Sequence, residues 1–182
     1  MTVNNTPIIW FTGMSGSGKS TLSIELKKKL HNNGYKVQVI DGDTIRDNYT
    51  TQLGFGRKDV LTNNLNIAQK CLESRNSCDV ILVPVISPYQ EVRSEVRKLL
   101  NPNFHLIYLT TTLENLKTRD TKGLYAQADS GVIKDLIGYS STTPYEEPED
   151  AELIIETTNQ NTINQSIAQL FNYIKRYAVI QF

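Results

Sequence analysis

Cysteine, histidine and net charge are what this sequence has least of. Two cysteines and two histidines occur in 182 residues. Cys71 and Cys78 form neither a redox C-x-x-C nor the paired spacing of a zinc site. A disulfide framework and a Cys/His metal centre are therefore excluded, and both thiols read as reduced packing residues. Nineteen Lys and Arg balance nineteen Asp and Glu, a formal net charge of +0. Such a chain has no overall field to draw it onto nucleic acid or an anionic membrane, so any anion must be held locally. Apolar runs are a few residues long, and no basic stretch precedes one near the start. Neither an export signal nor a membrane span is expected, and the cytoplasm is the expected compartment. N-x-[ST] triplets at Asn4, Asn48 and Asn164 carry no glycosylation meaning in a chain that is not exported. No long-period repeat is visible, which removes solenoids.

The hydrophobic content of 39% is enough for a core, and the length suits one domain over 1–182. Short β-branched and aromatic runs alternate with longer amphipathic stretches, the pattern of βα units on a parallel sheet. Strands are expected at 8–12, 37–40, 80–86, 106–110 and 153–156. Most are continuously apolar, as strands buried on both faces are. Helical spacing covers 19–32, 59–76, 90–100, 113–120 and 164–177. The stretch 121–150 breaks the rhythm: it holds Gly123, Gly131, Gly138, Pro144 and Pro148, with a helical possibility only near 124–136. A strandless loop of that length inside a compact domain is a functional lid or a disordered segment. Its acidic cluster at Glu146, Glu147, Glu149 and Asp150 reads as solvated surface rather than a metal site.

Chemistry concentrates in Gly13-Met14-Ser15-Gly16-Ser17-Gly18-Lys19-Ser20, a match to G-x-x-x-x-G-K-[ST] between an expected strand and an expected helix. Three glycines let the main chain wrap an anion with its N–H groups inward, and the helix start directs its positive end at the same place. Gly13, Ser15, Gly16, Ser17, Gly18, Lys19, Ser20 and Thr21 are thus the candidate ATP-phosphate residues. Lys19 supplies a point charge and the Ser20 hydroxyl is a candidate Mg²⁺ ligand.

After the second strand comes Asp41-Gly42-Asp43-Thr44-Ile45-Arg46. In a parallel sheet this lands at the carboxyl ends of the strands, beside the phosphate loop. Two carboxylates there can hold hydrated Mg²⁺ or take a proton from an attacking hydroxyl, and the arginine can grip an anionic acceptor. The plain alternative is a D-G turn capped by a surface arginine. An N-K-x-D guanine-reading motif does not occur, which argues against a GTPase switch.

These blocks, with LGF at 53–55, ISPY at 86–89, KGLYAQADSGVIK at 122–134 and PYEEPEDAEL at 144–153, resemble the adenylylsulfate (APS) kinases. The resemblance implies a P-loop NTPase fold, an α/β architecture with a five-stranded parallel sheet, flanking helices and a lid at about 121–150. It implies transfer of the ATP γ-phosphate to the ribose 3′-hydroxyl of adenylylsulfate, giving PAPS, with Mg²⁺ as cofactor and a homodimer as assembly. Lys19, Asp41 and Asp43 would be catalytic, with Ser20 and Asp41 toward the metal. Asp43, Arg46, Phe55, Asn63, Ser87, Lys122 and Leu136 would face the acceptor. Phe55 as a core aromatic, Asn63 as a helix-surface residue and Ser87 as a strand-end cap are the ordinary alternatives.

The chain departs from the family on the acceptor side. Asp59-Val60-Leu61-Thr62-Asn63-Asn64-Leu65-Asn66 stands where the family reads D-R-x-x-N-x-R-R, so three arginines are missing. Each lost guanidinium removes a charge-assisted contact of about 1.5 to 3 kcal/mol. Arg57 or Lys58 lies near enough in sequence to restore charge. Leu136 stands where the family has an aromatic, and base stacking on an aromatic is worth about 1 to 3 kcal/mol. Two alternatives follow: a diverged kinase for another nucleotide-linked acceptor, such as cytidine diphosphoramidate, or a non-catalytic nucleotide-binding module.

Overall fold

The computed structural model describes residues 6–47, 54, 56–158 and 161–178. Five strands, β1 (Ile8–Thr12), β2 (Val37–Val39), β3 (Val80–Pro84), β4 (Phe104–Thr110) and β5 (Leu153–Glu156), make one sheet in the order β2-β3-β1-β4-β5. Every pairing is parallel. The helices are α1 (Lys19–His31), α2 (Gly42–Asp47), α3 (Arg57–Ser74), α4 (Gln90–Leu100), α5 (Leu113–Arg119), α6 (Leu124–Asp129) and α7 (Ile163–Tyr177).

Alternation along the strands sorts two cores. Ile9 and Phe11 of β1 face one way, with Leu82, Ile107 and Ile155, against Leu22, Leu26 and Leu30 of α1 and Ile167, Leu170 and Ile174 of α7. Ile8 and Trp10 face the other way, with Ile81, Val83 and Leu106, against Ile67, Ala68 and Cys71 of α3 and Val96 and Leu100 of α4. With helices on both faces, β1 and β3 are buried at every residue. That is why they read as continuous apolar runs. Burying each such Ile or Leu contributes roughly 1.5 to 3 kcal/mol.

The chain runs from β1 out to β2, returns through β3, then crosses β1 to β4 and β5. The strand order therefore reverses beside β1, and a crevice opens at the carboxyl ends of β1 and β3, the usual ligand position in such sheets. Two segments reach over it. α2 is a short helix that the D-G-D stretch did not announce. It forms because Asp41 Oδ1 accepts from the N–H groups of Asp43 at 2.9 Å and Thr44 at 3.3 Å, capping the helix start. The 121–150 segment contains α6 and no strand, and carries an apolar cluster of its own: Leu116, Tyr125 and Leu136 are buried, with Met14, Ile133 and Tyr139 against them.

The acidic cluster is not simply solvated surface. Glu146 pairs with Arg57 and accepts from Gln90 N at 2.7 Å, while Asp150 lies 3.4 Å from Arg97. Carboxylates placed at the start of α4, beside Arg57 of α3 and beside the half-buried Arg97 of α4 fasten the end of the 121–150 segment to the body. Among the described residues no three His, Cys, Asp or Glu side chains form a metal cluster, and no helix is long and apolar enough to cross a membrane. Both cysteines are free, Cys71 within the core.

Candidate active site

Between β1 and α1 the backbone turns through three glycines with positive φ: 149° at Gly13, 80° at Gly16 and 97° at Gly18. A side chain at Gly13 is also excluded by space, since a Cβ would lie 2.6 Å from the Leu109 carbonyl and 2.7 Å from Ser17 Oγ. Lys19 opens α1 and folds back over the loop, donating to the carbonyls of Gly13 at 2.7 Å and Met14 at 2.8 Å. Burial pulls its pKa down to about 7, with Asp43 opposing, Lys122 reinforcing and Asp41 opposing. Ser20 and Thr21 are exposed in the first turn of α1.

Asp43 is exposed at the start of α2, and its Oδ2 lies 2.8 Å from Nζ of Lys122. Asp41, Asp43, Lys122 and Lys19 are close enough to act on one charge balance, so four predicted residues converge. Arg46 donates to the Gly54 carbonyl at 2.8 Å, and Gly54 N donates to Asp59 Oδ2 at 3.1 Å. These bonds tie α2 to the first turn of α3.

Asn63 is 2% exposed and Ser87 1%. Asn63 Oδ1, Ser87 Oγ and Ser17 Oγ are buried without a hydrogen-bond partner among the described residues. Buried polar atoms are normally paired; these three stand at predicted site positions, while Trp10 Nε1, Asn64 Oδ1 and Thr143 Oγ1 are unpartnered elsewhere. Ser87 is not a strand-end residue: β3 stops at Pro84, and Ser87 has φ 46°. Its carbonyl is held by Arg93 Nη1 at 2.8 Å and Thr12 Oγ1 at 3.2 Å.

Leu136 is not brought to the others. It is buried in the cluster of Leu116 and Tyr125, where an apolar side chain gains more than at an open base site. Phe55 lies outside the described residues. Val60, where the family arginine is missing, packs with Tyr89 and Val92. Arg57, one turn earlier on α3, lies 4.1 Å from the centre of the Tyr89 ring and pairs with Glu146; its charge is already matched within the protein.

Sequence reasoning missed the hydroxyls that hold the loop from behind. Tyr125 Oη donates to the Ser15 carbonyl at 2.7 Å and Thr157 Oγ1 to the Ser17 carbonyl at 2.9 Å. It also missed Tyr145, whose hydroxyl lies 2.8 Å from Thr12 Oγ1. Tyr125 and Tyr145 stand inside blocks that the resemblance rests on, which was the available signal; Thr157 had none.

A parallel sheet with a positive-φ glycine loop, a lysine at the helix start and carboxylates at the next strand end defines a P-loop phosphotransferase of the small-molecule kinase type. The comparisons narrow the class. Residues 5–156 match the family model described as adenylylsulphate kinase, and the chain belongs to that family. It is 40% identical over 174 residues to the adenylyl-sulfate kinase of Staphylococcus epidermidis, covering 95% of this chain and 86% of the relative. The adenylyl-sulfate kinase of Clostridium kluyveri is 38% identical over 167 residues, 92% of this chain and 82% of the relative. Among solved structures, the Mycobacterium tuberculosis APS kinase in complex with AMPPNP and APS superimposes with a TM-score of 0.86 at 31% identity, covering 93% of this chain and 98% of that one.

Proposed function

We propose that this chain transfers the γ-phosphate of ATP to the 3′-hydroxyl of adenylylsulfate, forming ADP and PAPS. The observation that carries the reading is the convergence of Lys19 in its glycine loop with Asp43 and Lys122 at the carboxyl ends of the strands. Backbone N–H groups of the loop cradle the ATP phosphates. Lys19 exchanges the Gly13 and Met14 carbonyls for phosphate oxygens, a stronger charge-assisted contact. Asp43 accepts the proton of the acceptor hydroxyl, and Lys122, arriving on the lid formed by 121–150, offsets charge on the reacting groups. Arg46, Asn63 and Ser87 hold the acceptor, Asn63 and Ser87 through the orphaned atoms, with Phe55 toward its base.

Mg²⁺ fits the donor set: one hydroxyl at Ser20, a carboxylate at Asp41 with one oxygen committed to the α2 cap, and, among the described residues, no cluster of three carboxylates. Mg²⁺ takes one or two protein carboxylates and completes its shell with phosphate and water. When bound it would neutralise phosphate charge. Free thiols at Cys71 and Cys78 and ATP as donor support the cytoplasm as the compartment.

The test is ADP release coupled to a dehydrogenase readout, with Mg-ATP and adenylylsulfate, and PAPS confirmed by mass spectrometry. Turnover with adenylylsulfate is the expected result. Turnover only with another nucleotide-linked acceptor would overturn the acceptor assignment, and no turnover with any acceptor would overturn the kinase reading.

A further inference from the structure

The phosphate loop is held at two carbonyls from outside. In a trans peptide, the carbonyl of one residue and the N–H of the next point in opposite directions; the cis bond among the described residues lies elsewhere, at Asn101–Pro102. A hydroxyl that captures the Ser15 carbonyl therefore turns the Gly16 N–H to the other side, and one that captures the Ser17 carbonyl does the same for Gly18 N–H. Tyr125 Oη and Thr157 Oγ1 make those captures, at 2.7 and 2.9 Å. Successive inward N–H groups are what bind an anion in such a loop.

The two hydroxyls come from different bodies. Thr157 follows β5 and is itself gripped by Arg119, which donates to its carbonyl. Tyr125 belongs to α6, within the lid. Its ring is 1% exposed, lies 3.9 Å from where a Cβ on Gly16 would stand, and meets Tyr139 edge-on at 5.6 Å between ring centres. Burial raises its pKa to about 12, so the hydroxyl keeps its proton and remains a donor.

We propose that Tyr125 is a positioning residue for the phosphate loop: its hydroxyl on the Ser15 carbonyl aims the Gly16 N–H at the nucleotide phosphates. Thr157 provides the matching, lid-independent support at Gly18. This rests on the reading that the loop binds ATP phosphates, and it adds a route by which the lid tightens nucleotide binding without touching the nucleotide.

Tyr125→Phe keeps the ring and removes the donor. Titration calorimetry with AMPPNP and with inorganic pyrophosphate should show roughly five-fold weaker binding of both, with the acceptor KM unchanged and the melting temperature close to wild type. Thr157→Val should weaken both probes similarly, and Thr157→Ser, which retains the hydroxyl, should restore them. The Thr157 pair keeps the loop-support idea testable should Tyr125→Phe fold poorly. Wild-type affinity for both probes in folded Tyr125→Phe, or a change confined to the acceptor KM, would overturn the proposal. Failure of the wild-type protein to bind either probe would instead overturn the phosphate-loop reading beneath it.

Discussion

Nζ of Lys122 lies 2.8 Å from Oδ2 of Asp43, so the 121–150 segment and α2 meet in one ion pair spanning 79 residues of sequence. The two side chains are 63% and 70% exposed. An exposed pair adds little to folding, so its use lies in the site: it keeps a cation beside the carboxylate proposed to take the acceptor proton. Lys122→Met should therefore leave the melting temperature within about 1 °C while lowering kcat at least ten-fold. A melting shift of several degrees with normal kcat would make the pair structural instead.

Asp43→Asn tests the other partner. It preserves the shape and hydrogen-bonding capacity of the side chain but removes a base. Loss of general base catalysis costs about 10² to 10⁴ in rate, so kcat should fall by that range, with ATP affinity by calorimetry within about two-fold of wild type. Equal loss of ATP affinity and kcat would show that Asp43 acts through the nucleotide rather than the acceptor.

Lys19 makes nucleotide binding proton-linked. Burial holds its pKa at about 7 in the free loop, and phosphates favour the charged amine, raising it on binding. Between the free and bound values, ATP binding takes up a proton, so affinity should fall as pH rises from 7 toward 9. Calorimetry in buffers of different ionisation enthalpy should report net proton uptake near pH 8. Lys19→Ala should abolish both the uptake and phosphoryl transfer; uptake persisting in Lys19→Ala would assign it to another group.

The sheet was legible because β1 and β3 are buried on both faces, which leaves Ile8 to Phe11 apolar without a break, and because such runs alternate with amphipathic helical stretches. The loop at Gly13 to Ser20 was legible because its glycines have a fixed steric task. α2 was not, since its start depends on Asp41 folding back on two N–H groups, a bond indistinguishable in sequence from a D-G turn. Leu136 was placed in the acceptor site by the family resemblance alone; in the fold its neighbours are Leu116 and Tyr125. Glu146 looked like solvated surface because its partners Arg57 and Gln90 are far away in sequence. Thr157 could not be found at all, because a single hydroxyl after a strand carries no pattern.

Arg93 joins the acceptor side to the lid. It is 1% exposed, yet burial is the main influence on it and lowers its pKa. Its guanidinium donates to the Ser87 carbonyl at 2.8 Å, to Gln90 Oε1 at 2.7 Å and to the Glu146 carbonyl at 2.6 Å. Two of these acceptors are backbone groups, one in the positive-φ residue Ser87 and one at the end of the lid. Arg93→Met fills the volume but leaves the Glu146 carbonyl without this donor and the Ser87 carbonyl with only the longer bond from Thr12 Oγ1, a cost of about 1 to 3 kcal/mol each. A chain of this size should lose roughly 5 to 15 °C in melting temperature, and the acceptor KM should rise more than the ATP KM because Ser87 loses its anchor. Arg93→Lys should recover only part of the loss, since a point-charge ammonium cannot span acceptors that a planar fork reaches together. Full recovery by lysine would mean that the buried charge matters and the fork geometry does not.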